Sequence, residues 1–253
     1  MCRLLAWHSP TPVTAERVIA PDSSRLAELS RVHCDGWGFA GLSETGAIEW
    51  EMGSEPAHES PLFAKVAGTT RTASGIVHLR WATGDLAVSL GNTHPFTSAS
   101  APGEVAFVHN GLLPDADELL GDIDPDLVAG FRGETDSERY FGLFATNLRH
   151  ASGDVVTALR RTADRLQDHA YTSLNAMILT PDQLAVVCLF KEENRPLDEE
   201  EDYFDLTWGE SDGITSAWST GVRSAEESHR PLENGTVLLI NTRSGAHDVV
   251  SIG

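Results

Sequence analysis

The sequence predicts an α+β fold built on antiparallel sheets. Two observations lead there. Strand-like and helix-like segments mix through the first two thirds of the chain, and beyond about residue 172 the structured segments all read as strands. No strand–helix–strand alternation runs through it, which a doubly wound parallel sheet would need.

In chain order, Cys2 to Trp7 reads as a short buried strand. Residues 14–32 have helical spacing with Val18, Leu26, Leu29 and Val32 facing inward, and Pro21 interrupts that helix or starts its second half. Trp37–Leu42 and Ala47–Met52 form a hairpin around Glu44-Thr45-Gly46, and 59–67 is a short helix. Gly75–Trp81 and Glu104–His109 are strands. Between them, Gly84 to Pro102 is a long loop rich in Gly, Ser and Pro, a length usually kept for function. Thr135 caps the clearest helix, with Glu138 three positions on as in a capping box. A second helix covers about 153–168. Strands follow at 173–180, 183–190, 214–219, 235–241 and 246–252. Residues 192–205 carry eight carboxylates against one arginine and read as a solvated loop.

Charge narrows the function classes. The 253 residues hold 38 Asp and Glu against 18 Lys and Arg, a net charge of −20. Such a surface repels nucleic-acid phosphates and anionic lipid, so neither is expected as a partner. The length suits a single domain over 1–253, with 41% hydrophobic and 22% charged residues arguing against disorder. Cys2, Cys34 and Cys188 form no CxxC pair, so neither a disulfide framework nor a zinc site is expected. Cys34 and Cys188 read as buried apolar fillers. The N-terminus reaches His8-Ser9-Pro10 before a signal-peptide core can form, and no apolar run is of membrane-spanning length, so the expected location is the cytoplasm.

Cys2 is the first chemical candidate. Removal of Met1 would leave a thiol and an α-amine on one residue. The amine titrates near pH 7.7 to 8.0 in model peptides, where it can serve as a general base for the thiol. Taken alone, Cys2 reads as an ordinary buried small residue. Other segments change that weight: His33-Cys34-Asp35-Gly36-Trp37-Gly38, His78-Leu79-Arg80-Trp81-Ala82-Thr83-Gly84, Asn92-Thr93-His94-Pro95-Phe96, Phe107-Val108-His109-Asn110-Gly111 and Thr135-Asp136-Ser137-Glu138. Their order after Met-Cys-Arg resembles the class II glutamine amidotransferases, which are N-terminal-nucleophile (Ntn) hydrolases. The resemblance covers residues 1 to about 150.

That resemblance implies a four-layer αββα sandwich of two antiparallel sheets. It implies Cys2 as nucleophile, with Asn110 and the Gly111 N–H as oxyanion donors. Asn-Gly taken alone would instead signal a tight hairpin turn. Arg80 matches the group that grips a substrate α-carboxylate, where a structural ion pair is the alternative. Asp136 matches the carboxylate that holds the α-ammonium, and it also suits a helix start. Thr83 lines the pocket. Trp37, Gly38 and Arg3 frame the nucleophile. His94 and His109 are pocket-wall or network residues, since this chemistry needs no histidine base. Asn92 stabilises its loop or sits near the ligand. Gly84-Asp85 departs from the His-Gly of synthetase-linked members, and with the DGWG segment points to the stand-alone subgroup that includes the γ-glutamyl amidohydrolase of ergothioneine biosynthesis. The expected activity is hydrolysis of a γ-glutamyl amide, glutamine or a γ-glutamyl conjugate, through a Cys2 thioester. No metal or organic cofactor is implied. The alternatives are a glutaminase subunit that delivers ammonia to a separate synthase, and a catalytically silent acidic binding module.

Overall fold

The computed structural model describes residues 2–84, 86–98, 104–196, 201–224 and 228–253. Two antiparallel sheets stack face to face with helices outside each, which gives the expected αββα layering. Sheet A contains β1 (Arg3–Val13), β2 (Trp37–Leu42), β3 (Ile48–Gly53), β4 (Thr72–Leu79), β9 (Leu206–Ser211), β10 (Ile214–Ser219) and β11 (Arg230–Leu232). Its spatial order is β11-β9-β10-β1-β4-β2-β3, so β1 is central. Sheet B contains β5 (Phe96–Ser98), β6 (Val105–Asn110), β7 (Asn175–Leu179), β8 (Gln183–Cys188), β12 (Thr236–Asn241) and β13 (His247–Ser251), in the order β13-β12-β8-β7-β6-β5. The helices are α1 (Ala15–Val18), α2 (Arg25–Leu29), α3 (Pro61–Thr69), α4 (Pro125–Ala129), α5 (Asp136–His150) and α6 (Val155–Leu166).

The strand period of two sorts side chains between three apolar layers. On β1, Leu4 and Ala6 join Ala106, Val108 and Met177 between the sheets, while Leu5 and Trp7 pack with Val18, Phe63 and Val66 of the outer helices. On β6, Phe107 turns outward to Tyr140 and Phe144 of α5. Close packing around sheet A requires small residues. A Cβ on Gly38 would overlap the His94 carbonyl, and one on Gly75 would meet the Trp7 ring at 2.5 Å.

Local chemistry sets the helix starts. Ser60 caps α3 by accepting from Phe63 N–H, ahead of Pro61 in the first turn. Asp154 caps α6 through Thr157 N–H at 2.7 Å. Thr135 caps α5 through Glu138 N–H at 3.2 Å. The expected capping box is half present. The buried Glu138 carboxylate instead accepts from Arg132 and Gly133 N–H at 2.7 and 2.9 Å, because the preceding loop folds back over the helix start.

Several expectations need correction. The 14–32 segment is interrupted around Pro21 into α1 and α2, as expected, but Val32 lies past the end of α2 with 54% exposure. β1 continues to Val13, with His8 paired to Ser74. The loop expected at 84–102 contains a 3-10 turn at Leu90–Asn92 and edge strand β5; Asp85 and 99–102 lie outside the described residues. Cys34 is exposed rather than a buried filler, whereas Cys188 is buried. The acidic segment is anchored at its end, where Tyr203 and Phe204 are buried against Phe190; residues 197–200 lie outside the described residues. β9, β11 and α4 were not anticipated. For β9 a signal existed: Asp212 and Gly213 both adopt positive φ, so Asp-Gly makes the turn to β10.

Candidate active site

Cys2 sits at the mouth of the central strand, one residue before β1. Arg3 pairs with Leu79, so β4 ends beside it and Arg80 and Trp81 flank the nucleophile. Sheet B brings the end of β6, Asn110, to the same edge, and Gly111 follows. The first residue of α5 is Asp136. One small cavity of about 30 Å³ is lined by Cys2, Arg80, Thr83, His94, Gly111 and Asp136, together with Trp81, Leu86, Asn92 and His109. That volume holds about one water. The sequence-predicted residues Cys2, Arg80, Thr83, Asp136, His94 and Gly111 therefore share one site.

Asn110 lies behind this wall, 1% exposed. Its Oδ1 accepts from the Cys2 backbone nitrogen at 3.0 Å. Its Nδ2 is buried without a hydrogen-bond partner among the described residues. A buried amide donor left unpaired costs about 1–3 kcal/mol, so a ligand oxygen reaching it would gain that interaction. Gly111 permits close packing, since a Cβ there would overlap the Ser173 carbonyl.

Arg80 is 3% exposed, and its guanidinium meets only backbone carbonyls. Nη1 donates to Asp35 O at 3.2 Å, and both terminal nitrogens reach Ala87 O at 3.5 Å. Among the described residues no carboxylate lies within ion-pair distance of it, so the structural ion pair considered from the sequence is not formed. Burial lowers its pKa, opposed by Cys2 and Asp35. Asp136 Oδ2 accepts from Leu113 N–H at 2.7 Å, which ties the turn after β6 to the start of α5.

The sulfur of Cys2 lies 3.5 Å from the Trp81 nitrogen and 3.7 Å from the Trp81 carbonyl. Burial pushes the thiol pKa up, while the Trp81 backbone contact and the Arg80 charge pull it down and Asp136 raises it. The site histidines are held neutral. His109 must donate Nε2–H to the Ser173 carbonyl at 3.0 Å, which leaves Nδ1 to accept from the Ser137 hydroxyl at 2.9 Å. Desolvation lowers its pKa against the pull of Asp136. His78 donates from Nε2 to His109 O, and burial lowers its pKa to about 3. His94, packed between His78 and Phe96, is also pushed well below the ordinary histidine value by burial.

Trp37 and Gly38 do not line the cavity. Trp37 packs on Phe63 in the outer helix layer and donates its indole N–H to Glu55 at 3.3 Å. Gly38 lies under the His94 carbonyl. Their motif thus shapes the sheet beneath the site. Asn92, left with two readings by the sequence, bridges two loops: Nδ2 donates to Ala87 O and Oδ1 accepts from Glu134 N–H. Among the described residues no cluster of His, Cys, Asp and Glu is arranged to hold a metal ion, and no helix is long and apolar enough to cross a membrane.

The model of the family described as glutamine amidotransferases class-II matches residues 1–187. No curated protein sequence matches this chain. Among solved structures, the chain is similar to a glutamine aminotransferase class-II domain protein from Silicibacter pomeroyi, with 19% identity over 99% of both chains and a TM-score of 0.65. It is similar to a predicted glutamine amidotransferase from Pseudomonas aeruginosa, with 19% identity over 99% of this chain and 100% of the other and a TM-score of 0.56. It also matches the glutamine phosphoribosylpyrophosphate amidotransferase from B. subtilis at 17% identity and a TM-score of 0.66, covering all of this chain and 49% of that one.

Proposed function

Because the chain belongs to the class II glutamine amidotransferases, we propose that it hydrolyses a γ-glutamyl amide through a thioester on Cys2. The observation that carries this reading is the orphaned Asn110 Nδ2, on a side chain whose Oδ1 accepts from the Cys2 backbone nitrogen. A buried donor with no internal partner, next to a nucleophile, suits an oxygen that becomes negative only during reaction.

In the proposed cycle, loss of Met1 frees the Cys2 α-amine, held near Asn110 Oδ1. The amine takes the thiol proton, directly or through a water. The thiolate attacks the side-chain carbonyl carbon, and Asn110 Nδ2–H and Gly111 N–H receive the oxyanion. The C–N bond breaks as the α-ammonium returns its proton to the leaving nitrogen. Water, deprotonated by the same amine, cleaves the thioester and releases glutamate. Arg80 holds the substrate α-carboxylate and Asp136 its α-ammonium. The pairing of one buried cation and one carboxylate in a single pocket suits an amino-acid head group better than a simple acyl chain.

A second reading has the ammonia pass to a separate synthase. It is supported by the match to about half of the B. subtilis amidotransferase. Glutamate release from glutamine and from a panel of γ-glutamyl amides, with Cys2→Ala as control, tests both. Turnover of larger γ-glutamyl conjugates over glutamine supports the hydrolase, and glutamine preference supports the ammonia supplier. No Cys2-dependent turnover of any γ-glutamyl compound would refute both. Intact mass completes the test, because active protein that retains Met1 contradicts the free-amine mechanism.

A further inference from the structure

Asp35 has no part in that cycle, yet three of its atoms hold the segment beside the nucleophile. Its N–H donates to the Arg80 carbonyl at 3.0 Å. Its carbonyl accepts from Arg80 Nη1 at 3.2 Å, and its Oδ2 accepts from Ala82 N–H at 2.8 Å. Arg80 N–H, in turn, donates to Gly36 O at 2.8 Å. Trp81 lies between these anchors, past the end of β4. Its own N–H points instead at Cys2 Sγ, 3.5 Å away. The indole is steadied from the same side by an edge contact with His33 at 5.6 Å.

We propose that Asp35 is a positioning residue for the Cys2 thiolate: by fixing Ala82 N–H it keeps the Trp81 N–H aimed at the sulfur. The proposal rests on Cys2 being the nucleophile. The backbone of one residue, Trp81, then serves both protonation states. The thiol donates to the Trp81 carbonyl, and the thiolate accepts from the Trp81 N–H. A donor already oriented toward a developing anion needs no rearrangement when the proton leaves. The other charged groups facing the sulfur are Arg80 and Asp136, joined by the Cys2 α-amine once Met1 is removed, with neutral His94 and His109 on the same wall.

Charge and position predict opposite signs, so the proposal can be tested. Removing a negative charge near the site would, by electrostatics alone, favour the thiolate. Loosening the Trp81 donor disfavours it. The experiment follows the pH dependence of Cys2 alkylation by iodoacetamide, read on the Cys2 peptide by mass spectrometry. It uses a full-length Cys34→Ser background so that the exposed Cys34 does not compete. In Asp35→Ala the alkylation midpoint is expected to rise by about one pH unit, the size of a weakened charge-assisted hydrogen bond. In Asp35→Asn, which keeps an acceptor for Ala82 N–H and lacks the charge, the midpoint stays at or below that of the parent. An unchanged or lowered midpoint in Asp35→Ala overturns the proposal. So does a rise in Asp35→Asn, an arm that remains readable if the alanine variant does not fold. Alkylation needs no substrate. A parent protein without γ-glutamyl turnover would thus defeat the functional reading while these midpoints still decide the role of Asp35.

Discussion

Replacing Arg80 with methionine separates a ligand-binding arginine from a structural one. Methionine keeps much of the side-chain volume and removes the charge. In the free protein the guanidinium makes one contact at 3.2 Å and two at 3.5 Å, all to backbone carbonyls. The Ala87 carbonyl keeps the Asn92 amide at 3.1 Å after the change. Against these modest losses stands the removal of a buried cation that meets no carboxylate, which by itself favours folding. The expected stability change is within about 1 kcal/mol of zero. Substrate binding should respond quite differently. Two charge-assisted hydrogen bonds from a guanidinium fork to a carboxylate contribute roughly 1.5–3 kcal/mol each. Their loss corresponds to about a 10²- to 10⁴-fold fall in kcat/KM, carried mainly by KM, because the α-carboxylate is gripped equally in ground and transition states. The assays are urea denaturation followed by tryptophan fluorescence and steady-state glutamate release. Loss of several kcal/mol of stability in Arg80→Met, or an unchanged KM, would refute the reasoning.

Asn110→Asp keeps an acceptor for the Cys2 nitrogen and deletes the orphaned donor, so kcat should drop by about 10²- to 10³-fold with little change in KM; near-normal kcat would remove Asn110 from the oxyanion role. Trp37→Phe should lower stability through the lost Glu55 contact and leave kcat/KM within about twofold, since the ring faces the helix layer, and a large KM effect in the same glutamate assay would contradict that placement. Acid should weaken the fold before most carboxylates titrate. His78, with its pKa near 3 in the fold and an ordinary value of 6.5 when unfolded, binds its proton more readily in the unfolded chain, so its contribution is complete above pH 6.5 and is lost as pH falls toward 3. Between pH 7.5 and 5.5 this one group accounts for about 1.4 kcal/mol, and His94 and His109, lowered by burial in the same direction, add to that loss. A urea midpoint that does not fall over that interval would disprove it.

Much of the fold was legible because its determinants are local. The hairpin of β2 and β3, the capped start of α5 and the alternating apolar residues of β6 follow from turn chemistry, a threonine hydroxyl and the period of the side chains. The elements that were missed depend on distant partners. β11 holds three residues and is defined by its register with β9. β5 is a short edge paired only to β6. Val32 matched a helical face, yet α2 ends three residues earlier. The acidic composition of 192–205 hid Tyr203 and Phe204, whose burial depends on a remote phenylalanine, Phe190.

The sequence by itself determined the family and the inventory of reactive groups: a thiol in second position, an Asn-Gly after an apolar strand, and an arginine and an aspartate in recognisable motifs. Residue type and order carry that information without reference to space. Only the tertiary structure decided which members of the inventory meet. Antiparallel pairing ends β4 beside the start of β1 and brings β6 from the other sheet to the same edge, so Cys2, Arg80, Gly111 and Asp136 line one cavity while Trp37 turns into the helix layer. It also decided that, among the described residues, Arg80 meets no carboxylate and Asn110 Nδ2 meets no acceptor. An unmet hydrogen bond is a property of the surrounding packing, which no single segment of sequence contains.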